Sequence, residues 1–281
     1  MYEAKTVKYG LIYSLRDVAG VGIAKAIKSM VSGKQVFLNG LSESYLIDDL
    51  DAFLIGVDCD ITECEFLDSL LDIDYYVMIS KHYSNMGVKS FTTHHVGIPI
   101  HDLSLTRSIN HFPPSNPNLS KLFLMNLSKF SKESGLSDFV VSYEVTHHGP
   151  FTLRRPLTFV ELGSSPDEWV FKEAQEVVAH AVINSLNAEV ECVATVGFGG
   201  NHYASLFTSR SLGSDECYGH IVPNYVLKHF KEDAYVLNKL IDFAIKYSST
   251  TTSRVVLDDK VPSLAKKLVK DYCSKVGLSI H

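Results

Sequence analysis

The sequence predicts an α/β fold with a mixed sheet covered by helices on both faces. Strand-like runs alternate along the chain with stretches of helical apolar spacing. There is no internal repeat and no low-complexity tract to suggest a solenoid or a disordered tail. The 281 residues, 46% apolar and 21% charged, are enough for a substantial core in an ordinary globular unit.

The elements follow in order. Tyr9–Ser14 has the continuous apolar character of a buried strand, and the spacing over Val18–Val31 suits a helix. Further strands are predicted at Gln35–Leu38, Ala52–Val57, Tyr75–Ser80, Ser90–His95, Phe139–Thr146, Leu157–Glu161, Val190–Val196 and Val255–Leu257. Helices are predicted at Leu119–Ser134, Pro166–Leu186, Asp233–Tyr247 and Pro262–Val276. Ser165, Pro166 and Glu168 have the spacing of a capping box opening the 166–186 helix. Trp169, Val170, Ala174, Val177, Val178, Ala181 and Val182 then form its core-facing stripe. Its N-terminus follows the strand carrying Glu161, and such an end can hold a phosphate or an oxyanion. The polar segment 101–118 contains three prolines and is expected to be a long loop, functional or a tether. Residues 1–281 are expected to form a single compact catalytic domain, with division into two lobes about this loop as the alternative.

Composition removes several classes of function. No window of about 18 uncharged apolar residues suggests a membrane span. The opening MYEAKTVKYG carries charges where a signal peptide needs its apolar stretch. Five cysteines with no CxxC pair are expected to be reduced thiols in a cytoplasmic protein. A net charge of −6 and a pI of about 6.0 argue against broad binding to DNA or other nucleic acid, though not against a local basic patch.

Of the twelve histidines, six sit in short polar clusters. SKHYS (80–84), TTHHVG (92–97), THHGP (146–150), FVELGS (159–164) and GFGGNHY (197–203) each follow or end a predicted strand, with His220 in a possible fifth site. Ligands of open α/β sheets bind along such an edge. Zinc needs three or four nitrogen, oxygen or sulfur ligands, and a catalytic site leaves one position open. His82, His94, His147, His148, Glu161 and His202 offer such a set from separate segments, without a local motif such as HExxH. Because side chains alternate along a strand, one histidine of each adjacent pair, 94/95 and 147/148, is expected to enter a shared site unless the chain turns. GFGGNH lacks the third glycine of a dinucleotide loop, so Gly199 and Gly200 are better suited to offering bare amides to an oxyanion. No GxSxG elbow is present and no cysteine joins a histidine cluster, which disfavours a serine or cysteine nucleophile.

In order, ISKHYS (79–84), FTTHHVG (91–97), THHGP (146–150), FVELGSSPDEW (159–169) and GFGGNHYA (197–204) resemble the archaeal and plant type of D-aminoacyl-tRNA deacylase, with GHIVPNY (219–225) a weaker match. The resemblance runs from the first strand to about residue 245. Ile98 stands where the family tends to have asparagine, and Ser205 where proline is usual. The resemblance implies a phosphorylase- and peptidyl-tRNA-hydrolase-like architecture and dependence on zinc (Zn2+). It also implies hydrolysis of the ester joining a D-amino acid to the 3′ acceptor end of tRNA. His82, His94, His147, His148, Glu161 and His202 carry over as site candidates, and the resemblance does not assign the metal ligands among them; of these, His82, His94 and His148 are expected to hold the metal. Glu161, His147 and His202 are expected to act in catalysis, with the Gly199 and Gly200 amides on the oxyanion. Lys81, Arg154 and Arg155 are the candidates for contact with RNA, and the protein is expected to be a monomer. The competing expectation is a zinc-dependent amidase or peptidase acting on small molecules.

Overall fold

Two sheets share the chain. The computed structural model describes residues 7–41 and 43–281, so part of the segment used for the signal-peptide reading lies outside the described residues. The chain begins with β1 (Val7–Ser14), α1 (Val18–Met30), β2 (Lys34–Gln35), β3 (Glu43–Ile47), β4 (Ala52–Val57), α2 (Leu67–Leu70) and β5 (Ile73–Tyr83). Next come β6 (Ser90–His94), α3 (Pro117–Glu133), β7 (Val140–Tyr143), β8 (Leu157–Ser164), α4 (Pro166–Trp169) and α5 (Lys172–Leu186). The last part holds β9 (Val193–Phe198), α6 (Ser205–Gly213), β10 (Glu216–Val222), α7 (Asn224–His229), α8 (Ala234–Lys246), β11 (Arg254–Leu257), α9 (Ser263–Val276) and β12 (Ser279–Ile280).

The larger sheet has the order β2-β3-β4-β1-β5-β8-β6-β7. β4, β1, β5 and β8 run parallel, whereas β6 lies antiparallel to β8 and parallel to β7. The expected mixed α/β sheet is therefore present. The smaller sheet, β10-β9-β11-β12, is parallel throughout.

Alternation along the strands gives the large sheet two different faces. Val77, Ile79, Phe91, Val160 and Leu162 pack with Ile23 of α1, Phe123 of α3 and Val178 of α5. Tyr76, Met78, Leu157 and Phe159 form part of the opposite core with Val96 and Leu153. On that second face the apolar run stops at Met78 and Phe159, and the next residues of the same parity are Ser80, His82 and Glu161. Thr92 pairs with Glu161 and His94 with Phe159, so β6 adds its own polar residues to the same patch. A buried polar patch thus interrupts an otherwise hydrophobic sheet.

The caps are built as the sequence suggests. Asp17 caps α1 by accepting from the Ala19 amide, and its other carboxylate oxygen accepts from the Lys81 amide, tying the helix start to β5. Asn116 caps α3 ahead of Pro117. The capping box at Ser165 and Glu168 is present, but it closes on the Ser165 amide and hydroxyl, so that amide is not open to an anion.

Several expectations are corrected. The 166–186 helix is two helices, broken at Val170–Phe171, and Val170 is exposed rather than part of the stripe. The break leaves the Trp169 indole N–H donating to the His82 carbonyl at 2.9 Å. Gln35–Leu38 contributes only its first residue to a strand, and β3, α6, β10 and α7 were not expected. Cys192 and Cys217 are joined by a disulfide, their Cα atoms 5.7 Å apart, so the cysteines are not all reduced thiols. The loop 101–118 does not hang free as a tether: Leu103, Ile109 and Phe112 pack into the core of the smaller sheet.

Candidate active site

The polar patch lies where the two sheets meet. The segment after β7 leaves the large sheet at Tyr143, bridges through Glu144 to Tyr203, and donates hydrogen bonds to the smaller-sheet side: the Val145 amide to the His202 carbonyl and the Thr146 amide to the Ile221 carbonyl. This brings the 144–148 segment and the 200–203 turn over β5, β8 and β6. His82, His147, His148, Glu161 and His202 border one cavity of about 430 Å3, together with Ser14, Asp17, Asp60, Ser80, Lys81, His101 and Phe159. His94 and Glu144 lie behind that lining and touch it.

The contacts are close. Glu144 Oε1 lies 3.0 Å from His82 Nδ1, and Glu144 Oε2 lies 3.1 Å from His202 Nε2 and 3.4 Å from His147 Nε2. Glu161 accepts from the Ser80 hydroxyl at 2.7 Å and approaches His82 Nδ1 at 3.3 Å and His94 Nε2 at 3.6 Å. The His147 ring centroid is 4.2 Å from that of His94, 4.3 Å from His148 and 4.8 Å from His202. The Tyr203 hydroxyl reaches His82 Nε2 at 3.1 Å.

Both members of the 147/148 pair enter the site. His148 has φ +42°, so the chain turns at this residue and alternation does not hold. His147 and His148 each place Nδ1 2.7 Å from a backbone carbonyl, of Val145 and Gly149, which directs Nε2 into the cluster. The 94/95 pair behaves as alternation predicts. His95 faces away, with Nδ1 near the Gly219 carbonyl and Nε2 accepting from the Asn116 amide.

Electrostatics follow from burial and proximity. Burial disfavours charge on His82, but Glu144 and then Glu161 outweigh it and push the imidazole up to about 9. Burial likewise opposes charge on Glu161, yet His82 and His94 hold the carboxyl well below its usual range. Burial and His94 push His148 down to about 4, and the same two causes hold His147 well below the usual imidazole range.

This donor set fits a metal. Three overlapping groupings place one ligand atom each within 4.8 Å of one another: His94, His147 and His148; His82, Glu144 and His202; and His94, Glu144 and Glu161. Both oxygens of the buried Glu144 and Nε2 of His94 lack hydrogen-bond partners of good geometry although nitrogen and oxygen atoms crowd them. Buried carboxylates and imidazoles left in this state are what a cation between them would satisfy. Glu144 was missed in the sequence reading; its only signal is its place three residues before His147.

Other expected site residues lie elsewhere. The Gly199 amide donates to the Val222 carbonyl, and neither Gly199 nor Gly200 borders the cavity. Both have positive φ and shape the turn that presents His202. Arg154 and Arg155 are exposed beside α2, where the Arg154 amide donates to Asp68 and the Arg155 side chain lies 3.4 Å from Asp72, away from the cavity. Lys81 does border it.

The chain is similar to known proteins over nearly its whole length. The chain is 34% identical over 284 residues to a D-aminoacyl-tRNA deacylase of Staphylothermus marinus, covering 97% of this chain and 98% of the relative. It is 33% identical over 278 residues to the D-aminoacyl-tRNA deacylase of Hyperthermus butylicus, covering 96% and 98%. The crystal structure of a conserved protein of unknown function, AF0625, superposes with a TM-score of 0.84 at 26% identity over 98% of this chain and 94% of that one. The D-aminoacyl-tRNA deacylase family model matches residues 70–281, which include every histidine and carboxylate of the cluster. The chain belongs to the D-aminoacyl-tRNA deacylase family.

Proposed function

We propose that this protein hydrolyses the ester between a D-amino acid and the 3′-terminal ribose of tRNA, releasing the free D-amino acid, and that it uses zinc to do so. The observation that carries the reading is the buried His82–Glu144–His202 and His94–His147–His148 cluster opening onto one cavity, in a chain of this family. When bound there, zinc supplies a Lewis acid and lowers the pKa of water toward neutrality.

The chain's own groups do the rest. Glu161, held ionised between His82 and His94 and fixed by the Ser80 hydroxyl, accepts the proton of the attacking water. His202 is the most open of the cluster, its side chain 37% exposed, with Nε2 set by Glu144 at 3.1 Å. It stands where a proton can be returned to the departing ribose oxygen. His147 is clamped through Nδ1 and keeps its Nε2 toward Glu144. Ile61 and Phe159 are buried beside the cavity and Ile100 lines it, apolar surface for the amino-acid side chain. Selection between mirror images depends on which substituent meets that wall and which meets polar groups.

The test is the release of free tyrosine from D-tyrosyl-tRNA and from L-tyrosyl-tRNA by purified protein. Release from the D form alone is expected. Folded protein that cleaves neither form, or cleaves both equally, contradicts the proposal.

A further inference from the structure

Tyr83 at the cavity rim and Trp169 beside it have no part in the chemistry above. Tyr83 ends β5, one residue past His82, and is 65% exposed. Its hydroxyl donates to Asn85, which fixes the ring. Trp169 stands beside it, the ring centroids 6.3 Å apart and the planes tilted by 52°. At that tilt neither ring covers the other, and Tyr83 keeps a face open to solvent. Trp169 is pinned by its indole N–H on the His82 carbonyl, so the pair is tied to the strand that carries a cluster histidine. Lys81, exposed and also on the rim, holds Nζ 5.1 Å over the Trp169 ring. Tyr83 and Lys81 both border the same cavity as His82, Glu161 and His202.

An exposed tyrosine beside a tryptophan and an exposed lysine is a poor choice for a surface in water. It is a good one for an unpaired nucleotide, whose base stacks on an aromatic face while a cation meets its phosphate. The net charge of −6 argues against binding by a broad basic surface and favours a local grip on RNA. We propose that Tyr83, Trp169 and Lys81 form the subsite for the 3′-terminal adenosine of the tRNA, with the base on Tyr83 and Lys81 on the adjoining phosphate. This rests on the deacylase reading for its choice of ligand: the ester lies on the ribose of that nucleoside, so its base must sit at the rim when the ester reaches the cluster. Stacking here adds affinity without reading tRNA sequence beyond the shared CCA end.

Trp169 is the only tryptophan in the chain, which makes the subsite its own reporter. The probe is the trinucleotide CpCpA, titrated against intrinsic fluorescence with CpCpU alongside. Saturable quenching by CpCpA, weaker with CpCpU, is expected. Tyr83→Ala should raise the apparent Kd roughly ten-fold, and Tyr83→Phe should restore it, because stacking needs the ring and not the hydroxyl. Tyr83 is exposed, so its loss leaves folding intact. The same Tyr83→Ala change should raise KM for D-tyrosyl-tRNA by a similar factor. No change in Trp169 fluorescence with CpCpA, or equal affinity in Tyr83→Ala, overturns the subsite. CpCpA binding by a wild-type protein that leaves D-tyrosyl-tRNA intact upholds the subsite and overturns the deacylase reading instead.

Discussion

Replacing Glu144 by glutamine keeps the side chain's shape and removes its charge. Glu144 is 1% exposed, and its two oxygens lie 3.0 to 3.4 Å from nitrogens of His82, His147 and His202. An amide turns one acceptor into a donor, so at least one of these contacts becomes a mismatch of polarity. Glu144 is one of two carboxylates that raise the His82 imidazole against the opposing effect of burial. Loss of the Glu144 share leaves His82 held by Glu161 alone and takes one anionic ligand from two of the three donor groupings. A reduction of about 100-fold or more in single-turnover deacylation of D-tyrosyl-tRNA is expected, equivalent to roughly 2.7 kcal/mol. Zinc content should fall with it, while thermal unfolding shifts by only a few degrees because the packing is preserved. Glu144→Gln protein with full zinc content and activity within about three-fold of wild type refutes the reasoning.

Three further outcomes follow from features outside the cluster. Gly199 has φ +120°, and a Cβ there would lie 2.2 Å from that of Asp258, so Gly199→Ala should lower stability by about 2–4 kcal/mol in denaturant titrations; a neutral effect would show that the turn relaxes. The Cys192–Cys217 bond closes a 25-residue separation, for which loop entropy gives about 3.5 kcal/mol, so the Cys192→Ser/Cys217→Ser protein should unfold at lower denaturant, and the wild type should do so only when reduced. His220 is buried, which pushes its imidazole down to about 3; the folded state keeps it neutral while the unfolded chain binds a proton near pH 6.5. Stability is therefore complete above about pH 6.5 and declines toward pH 3 by up to about 1.4 kcal/mol per pH unit, and His220→Phe should flatten that slope. An unchanged slope would assign the acid sensitivity to other groups.

The sequence shows the site's histidines more clearly than it shows their arrangement. His82, His94, His147, His148, Glu161 and His202 stand in short polar clusters that break apolar strands, and a break in an apolar pattern is visible in one dimension. Glu144 is not, because one acidic residue in VSYEVTHH looks like the solvent side of a strand until β5 and the 200–203 turn close around it. The joint entry of His147 and His148 depends on a single positive φ. Glycines at 199 and 200 announce backbone freedom but not direction, and the Gly199 amide points to Val222. β10 escaped notice because ECYGHIV starts with a charge and is divided by Gly219, where its register against β9 also shifts. The disulfide depends on that same pairing, since Cys217 comes opposite Ala194, two residues from Cys192, only once β10 lies beside β9.

On the function proposed above, this histidine–carboxylate cluster carries zinc and hydrolyses D-aminoacyl-tRNA. The most direct test measures D-tyrosyl-tRNA hydrolysis by one protein preparation as purified, after chelation to a metal content verified by elemental analysis, and after zinc is returned. Activity lost on chelation and recovered with about stoichiometric zinc is the expected result. Full activity in protein shown to be free of metal would contradict the account.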